Sequence, residues 1–221
     1  MLYDGETFQH GGRRFRFITE HDDMGPPWEE HDGHGIVSEW RHREGEGRRT
    51  GELVLSRDRH STQYYDFRET MALAKKDGWG CADMTDDAMR DAIAVLQELE
   101  AFDRELVENE EMEPEDAYVF DPAEIEQIKL AVVVNADFKY LKRWCDDEWS
   151  WVGVVVTLIE TDEYGDDVDG ERASLWGIQS DACAYIEEVA HELADDIIGP
   201  LDDAAATAMM DARPDLYAME S

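Results

Sequence analysis

A long apolar run dominates the second half of the chain. Between Trp149 and Glu160 nearly every side chain is apolar, and half of these twelve residues are β-branched. Such a strand is typical of a sheet that is covered on both faces. An acidic turn, TDEYGDDVDGER, follows, and residues 173–179 are again strand-like. The sequence therefore predicts an antiparallel hairpin over residues 149–179, with its tryptophans, including Trp176, in the core.

Three amphipathic helices are predicted around this hairpin. Apolar residues recur at helical spacing over three segments: 85–108, 122–145 and 181–198. Thr85 is a favourable N-cap, and the sequence Asp-Pro-Ala-Glu at 121–124 has the pattern of a capping box with proline at the first helical position. Pro200 is predicted to end the third helix, and a last alanine-rich helix is predicted over residues 201–212.

The first third of the chain predicts short strands and one helix. Apolar patterns indicate strands over residues 13–18, 36–41 and 52–56. Asp66 and Gly78 are residue types that begin and end helices, so a helix is predicted from Phe67 to Lys76. Strands, then helices, then a hairpin and further helices indicate an α+β fold, with small antiparallel sheets and several amphipathic, strongly acidic helices.

Charge divides the sequence into two predicted parts. Residues 1–76 hold 12 Lys and Arg against 15 Asp and Glu, whereas residues 77–221 hold 8 against 40. We therefore predict a near-neutral, β-rich segment with one short helix over 1–80 and an acidic α+β segment over 81–221. One continuous domain is also compatible with the sequence. The arginines of the first strand are available to pair with the acidic segment, either within the chain or across a homodimer.

The net charge of −35 favours some partners and excludes others. It repels nucleic acid and anionic membranes, and it attracts basic proteins. The longest apolar run, residues 152–159, is too short to cross a bilayer, and the N-terminus lacks an apolar signal-peptide core. Three widely spaced cysteines without a CxxC motif favour a reducing compartment and buried thiols. The sequence predicts a cytoplasmic protein that binds neither membranes nor nucleic acid directly.

Two helices carry outward-facing carboxylates with few lysines or arginines between them. Each pair of like charges at i,i+4 destabilises a helix by about 0.2–0.5 kcal/mol. A face that accepts this cost is more typical of a binding surface than of an ordinary solvated helix face. Eight carboxylates along the roughly 35 Å of the 85–108 helix are spaced by about 4 Å, and the phosphates of a DNA strand by about 3.4 Å. We predict that this surface imitates nucleic acid. The predicted binding residues are Asp87, Asp91, Glu98, Glu105, Glu108, Glu187, Glu188, Glu192 and Asp195.

His31 and His34 are the weak candidates for metal ligands, because they lie three residues apart beside several acids. A metal site needs three or four convergent ligands, and neither a CxxC nor an HExxH motif supports this pair. We therefore predict a glycine-rich structural loop here and no cofactor. The sequence contains no phosphate-binding loop, no GxSxG motif and no GxGxxG after a strand. No catalytic residue is predicted, and the protein is predicted not to be an enzyme.

Four segments resemble proteins encoded by tailed bacteriophages and prophages. They are PWEEHDGHGIVSEW (27–40), YYDFRETMALAKKDGW (64–79), FKYLKRWCDDEWSWVGVVVTL (138–158) and SLWGIQSDACAYIEEVAHELADDI (174–197). The resemblance covers most of the chain except residues 98–120 and the C-terminal tail. No activity is attached to that family, so the resemblance implies a setting alone: a small cytoplasmic protein made in an infected bacterium. Acidic nucleic-acid mimics that block host defence nucleases are a phage strategy, which applies here by analogy.

Three functions are compatible with these features. The first is a non-enzymatic nucleic-acid mimic that inhibits a basic, DNA- or RNA-handling host protein. The second is an acidic accessory protein whose charge serves solubility or tolerance of high salt. The near-neutral composition of residues 1–76 counts against this second function, because salt adaptation spreads acid over the whole surface. The third is a metal-binding module centred on His31 and His34.

Overall fold

The chain forms two compact units. The computed structural model describes residues 3–42, 44–80 and 84–212. The first unit combines Met1–Met24 with Trp149–Ser221, and the second unit is Gly25–Glu148. This division differs from the predicted boundary near residue 80, which lies inside the second unit. The reason is long-range strand pairing, since the N-terminal strands complete the sheet of the C-terminal hairpin.

Eight strands and five helices are present in the described residues, and the predicted α+β class is confirmed. The strands are β1 (Thr7–His10), β2 (Arg13–His21), β3 (Ile36–Val37), β4 (Arg41–His42), β5 (Glu52–Arg57), β6 (Ser61–Asp66), β7 (Trp151–Thr161) and β8 (Asp167–Gln179). The helices are α1 (Pro27–Glu30), α2 (Phe67–Asp77), α3 (Asp86–Glu108), α4 (Ile125–Cys145) and α5 (Cys183–Ala212).

The first unit is an antiparallel sheet with helix α5 packed on one face. The strand order is β1-β2-β7-β8, so the apolar strand β7 is central, as its composition predicts. Phe15 and Phe17 of β2 pair with Leu158 and Val156 of β7, and all four side chains are buried in one core cluster. The inner stripe of α5 completes this cluster with Ile186, Val189, Ala190, Leu193, Ala194 and Ile197.

Charged side chains of the sheet cover the second face of β7. Arg14 and Arg16 of β2 form ion pairs with Asp167 and Asp169 of β8, so they cross over the strand that lies between them. Their aliphatic stems shield apolar surface while the charged groups stay in contact with water. Arg13 pairs with Asp202 of α5. The arginines of this strand therefore pair with the acidic part of the same chain.

Helix α5 continues through Pro200, which the sequence predicted to end it. Proline removes one hydrogen bond and costs about 3 kcal/mol in a helix interior. Ile198 and Leu201, on either side of Pro200, both pack against the core of the first unit. Because this packing holds the chain on both sides of the proline, one helix spans Cys183–Ala212 in place of the two that were predicted.

The second unit is built around helix α4. Strand β6 pairs with β3, β4 and β5, and helices α2 and α3 pack against α4, which also contacts β5. Contact with several neighbours explains why α4 is apolar on more than one side. Its buried residues include Ala131, Val132, Val134 and Leu141. Strands β1 and β6 were not predicted from sequence.

The predicted helix starts at Asp66 and Thr85 are confirmed, and the one at Asp121 is wrong. The side chains of Asp66 and Thr85 accept hydrogen bonds from the backbone at Glu69 and Ala88, so both predicted N-caps are confirmed. Helix α4, however, begins at Ile125 and not at residue 122. Asp121 accepts from the backbone of Ala123 at 2.8 Å, two residues onward, and this local turn replaces the predicted capping box.

Two expectations about buried side chains need correction. Trp149 and Trp151 are buried, but Trp176 is 45% exposed and its ring lies against Gly153, where a Cβ atom would collide with it. Cys145 is half-buried, and burial raises the pKa of its thiol to about 11. Cys183 is exposed, which contradicts the prediction of buried thiols for that residue. Cys81 lies outside the described residues.

Candidate protein-binding surface

The predicted acidic face of α3 is partly neutralised by basic side chains. Asp87, Asp91 and Glu98 are all exposed, but Asp87 pairs with Arg90 on the same helix. Asp91 pairs with Lys139 of α4, whose hydrogen bond lowers the pKa of that carboxyl. Glu98 contacts Arg48 at 2.9 Å. These three predicted binding residues are therefore paired with basic side chains, and they do not belong to the uncompensated row that was predicted.

Unpaired negative charge is concentrated where α3 ends and the next loop begins. We define the acidic segment as residues 105–116. It contains seven exposed carboxylates and no lysine or arginine, and among the described residues none of the seven forms an ion pair. Two of them, Glu105 and Glu108, belong to the predicted binding set. The seven are Glu105, Glu108, Glu110, Glu111, Glu113, Glu115 and Asp116.

The acidic segment is held at both ends by one buried carboxylate. Asp103 has no exposed surface, and it accepts a hydrogen bond from the backbone N–H of Tyr118 at 2.9 Å. The same carboxylate accepts from the Thr50 hydroxyl, at 2.7 and 2.8 Å to its two oxygens. Phe120, just beyond, is buried in the core of the second unit. The segment is thus a loop closed at its base.

Sequence reasoning missed the role of Asp103 and counted it among the acids of α3. A signal was present, because Asp103 lies four residues after Leu99 and seven after Leu96, both of which are buried. A charged residue in the apolar stripe of a helix needs hydrogen-bond partners inside the protein. The identity of those partners, Thr50 and the backbone of Tyr118, depends on tertiary contacts.

The other predicted acidic residues lie on α5, in the first unit. Glu188 and Glu192 are exposed, and Glu187 is half-buried. Asp195 forms a 2.6 Å contact with Nε2 of His10 on β1. The predicted binding set is therefore divided between the two compact units, and we describe its two parts as separate surfaces.

Folding also redistributes the charge asymmetry of the sequence. The first unit holds 5 Lys and Arg against 23 Asp and Glu, a net charge of −18. The second unit holds 15 against 32, a net charge of −17. The near-neutral residues 1–76 contribute to both units, where their arginines pair with acids from later in the chain. Neither unit is near-neutral.

The structure gives His34 a structural environment. Its Nδ1 donates to Oδ1 of Asp137 at 2.7 Å, and its ring stacks on Tyr140. The other oxygen of Asp137 accepts from the backbone of Gly35 and from the hydroxyl of Tyr65, both at 2.8 Å. Burial is the largest cause that raises the pKa of Tyr65, followed by the charge of Asp137. This network ties the glycine-rich loop to α4 and β6.

In the part of the chain that the structure describes, His31 and His34 do not belong to a convergent set of three or more ligand side chains. His31 is exposed, and no group of three or more His, Cys, Asp or Glu side chains converges in these ranges. The two histidines lie near acids in sequence, but Asp137, the acid that contacts His34, comes from helix α4 more than a hundred residues later.

An apolar cleft of about 820 Å³ lies between α2 and the beginning of α4. Met71, Trp79 and Leu130 contribute to its lining. Lys129 also lines the cleft and pairs with Glu126 at 2.6 Å. The cleft is therefore mainly apolar, and the charges of Lys129 and Glu126 neutralise each other. In this it differs from the acidic segment, whose carboxylates are unpaired among the described residues.

The described residues contain no helix that combines the length and the apolar character needed to cross a bilayer. Comparison of the chain with protein families, with curated proteins and with solved structures found no match.

Proposed function

We propose that this protein acts by binding and not by catalysis, and that its acidic segment occupies the nucleic-acid-binding site of a basic host protein. The partner is a DNA- or RNA-handling protein, such as a defence nuclease, in the cytoplasm of an infected bacterium. The resemblance to phage proteins supplies this setting. The observation that carries the proposal is the presence of seven exposed carboxylates without ion-pair partners among the described residues 105–116.

The density of unpaired charge supports mimicry at this segment more than along α3 as a whole. Seven charges lie within twelve residues, which is a higher density along the chain than the eight carboxylates in the 23 residues of α3. The carboxylates nearer the start of α3 are less suitable, because Lys139 and Arg48 already neutralise Asp91 and Glu98. A cluster of one sign also accelerates the encounter with an oppositely charged protein.

Closure of the loop at its base supports the same proposal. The hydrogen bond between Asp103 and Tyr118 joins residues that lie 15 positions apart on either side of the segment. Within it, the backbone N–H of Glu111 bonds to the carbonyl of Leu106 at 2.9 Å and ends the helix. A loop that is ordered before binding loses less conformational entropy when a partner binds.

Charge reversal in the acidic segment tests this proposal. We expect the triple variant Glu108→Lys, Glu111→Lys and Glu115→Lys to bind its partner at least about 10-fold more weakly, because each change replaces an attraction with a repulsion. The partner is first isolated from nuclease-treated bacterial lysate on the tagged protein and eluted with a salt gradient. Affinity is then measured for the purified pair, with DNA as a competitor.

The matched control changes the same net charge elsewhere. Glu163, Asp166 and Glu171 are exposed carboxylates at the β7–β8 hairpin of the first unit. Their reversal to lysine is expected to leave the affinity within about 3-fold of the original. Dissolved salt screens exposed charges that lie away from the binding site, so the net charge of the protein has only a weak effect on binding. Equal loss in both triple variants would mean that net charge, and not the acidic segment, attracts the partner.

The even division of charge supports a second candidate function, which is an acidic protein adapted to high salt. The sequence argument against this function was that residues 1–76 are near-neutral, whereas salt adaptation spreads acid over the whole surface. In the folded chain each unit carries about half of the net charge, −18 and −17, so that argument no longer applies. Strong self-repulsion destabilises a compact state unless salt screens it.

A melting curve in dilute buffer tests the second candidate. If the charge serves salt tolerance, the melting temperature is expected to rise by more than about 10 °C between low salt and molar KCl, because screening relieves the repulsion. A melting temperature that is insensitive to salt would contradict this candidate. It would leave the binding proposal unaffected, since that proposal depends on the affinity measurement.

A further inference from the structure

The apolar cleft between α2 and α4 lies at the same end of the second unit as the acidic segment. Helices α3 and α4 run antiparallel, since Lys139 in the second half of α4 pairs with Asp91 near the start of α3. At their other end, the backbone of Tyr118 bonds to Asp103, and the Tyr118 ring lies beside the side chain of Gln127. Gln127 also lines the cleft. Tyr118 therefore joins the base of the acidic segment to the wall of the cleft.

Exposed apolar side chains are concentrated at this junction. Among the described residues of the second unit, the most exposed large apolar side chains are Val119, at 72%, and Ile125, at 58%. Val119 directly follows Tyr118, and Ile125 lines the cleft together with Met84, which is 36% exposed. A single exposed apolar residue needs no explanation, but several beside one apolar cleft indicate an interaction site.

We propose that this cleft is the apolar part of the interface with the basic host protein, and that it receives the apolar face of a basic amphipathic helix of that partner. The inference rests on the proposed function, because it names the partner element that the same surface binds. Amphipathic helices bind in grooves through apolar residues spaced three and four positions apart. The basic residues of the same helix then contact the acidic segment.

The size and the walls of the cleft suit a helix. A volume of about 820 Å³ lies in the range of about 300–1,000 Å³ that is typical of sites that enclose a ligand, so it has room for more than one apolar side chain. Both walls are helical, with Met71 on α2 and Leu130 on α4. A third helix can pack its side chains into the groove between two others, as helices do in protein cores.

The charges around the cleft favour a basic helix and set its orientation. Glu124, at the start of α4, is exposed, lines the cleft and forms no ion pair among the described residues. It adds to the seven carboxylates of the acidic segment, and such a field attracts cations. Lys75, on the α2 wall, also forms no ion pair in the described ranges. The lysines and arginines of the partner helix therefore lie on the α4 side, toward Tyr118.

The cleft supplies specificity that charge alone does not provide. Complementary charge accelerates association with any basic protein, whereas apolar side chains buried at an interface mainly slow dissociation. A partner that presents both features is retained, and a basic protein without the apolar residues is released.

Two synthetic helical peptides of about 18 residues test the proposal on the full chain. Both carry the same lysines, but one has leucine and the other glutamine at positions spaced three and four residues apart. By calorimetry we expect the leucine peptide to bind at least about 10-fold more tightly, because its apolar face is buried in the cleft. In the double variant Ile125→Gln and Met84→Gln this preference is expected to fall below about 3-fold. The control Trp40→Gln removes an exposed apolar side chain outside the cleft and is expected to keep the preference.

The peptides also separate this inference from the proposed function. Reversal of Glu108, Glu111 and Glu115 to lysine is expected to weaken both peptides by a similar factor, since it acts on charge alone. Undiminished binding of both peptides by that variant would count against the acidic segment and hence against the proposed function. A preference for leucine that is absent in the original protein, or that persists in the double variant, would overturn the inference on the cleft and leave the acidic segment unaffected.

A second measurement needs no substitution. In the original protein, the indole N–H resonance of Trp79, which lines the cleft, is expected to shift when the leucine peptide is added and to shift much less with the glutamine peptide. The resonance of Trp40 is expected to stay unchanged. A small apolar compound that is released on denaturation, and that the leucine peptide does not displace, would show that the cleft is a small-molecule site and would overturn the proposal.

Discussion

Replacement of Asp137 by alanine is expected to lower the free energy of unfolding by about 3–5 kcal/mol. The side chain of Asp137 is 10% exposed and accepts three hydrogen bonds, from the His34 ring, the Gly35 backbone and the Tyr65 hydroxyl. Alanine leaves all three donors without this acceptor. Tyr65 is fully buried, so its hydroxyl cannot turn to bulk water, and it keeps only the hydroxyl of Thr70 and the more distant carbonyl of Val134, at 3.4 Å, as polar neighbours in the described residues.

Urea unfolding followed by tryptophan fluorescence measures this effect. Asp137→Asn keeps one acceptor oxygen and is expected to cost less, about 1–3 kcal/mol. The matched control is Asp146→Ala. Asp146 is the C-cap residue of α4, and its carboxylate forms a surface ion pair with Lys142. That change is expected to stay within about 0.5 kcal/mol. A similarly small effect of Asp137→Ala would show that the network does not stabilise the second unit.

Replacement of Asp103 by alanine is the second change with a large expected effect, again about 3–5 kcal/mol of unfolding free energy. The carboxylate has no exposed surface, and it accepts from the Thr50 hydroxyl and from the Tyr118 backbone. Arg68 lies 3.8 Å away and is half-exposed. Removal of the carboxylate leaves two hydrogen-bond donors without their partner and opens a small cavity beside Leu99.

The same variant separates the folding role of Asp103 from its role at the acidic segment. Amide hydrogen exchange is expected to increase over residues 105–118, because the tie between the two ends of the loop is lost. Glu105→Ala, two residues away and exposed, is the control and is expected to change neither stability nor exchange beyond about 0.5 kcal/mol. Unchanged exchange over the loop in Asp103→Ala would contradict the role of this carboxylate in closing the segment.

Several elements were predictable because their signals are local. The N-caps Asp66 and Thr85 act on residues three positions away, and the structure confirms both. The hairpin of β7 and β8 follows from the apolar run and the acidic turn, and it is present. The capping box at Asp121 failed for a local reason as well. Aspartate can accept from the residue two positions onward as readily as from the third, and the sequence alone does not decide between these turns.

The candidate sites were less predictable because they depend on distant residues. Glu105 and Glu108 were named correctly as exposed acids, but Asp91 and Glu98 meet basic partners 48 and 50 positions away. The sequence also indicated His31 and His34 as the candidate metal ligands, because they lie close together in the chain. In the structure His34 instead contacts Asp137, 103 positions later in the chain.

The sequence by itself determined the α+β class, most helix positions, the β7–β8 hairpin and the strongly acidic surface. Each depends on composition or on residues within a few positions of one another, where backbone geometry fixes which side chains are neighbours. Only the tertiary structure decided which charges are neutralised, how the charge divides between the units, and which polar side chains lie in the core. Ion pairs and buried hydrogen bonds form across any separation that folding closes, up to 189 residues for Arg13 and Asp202.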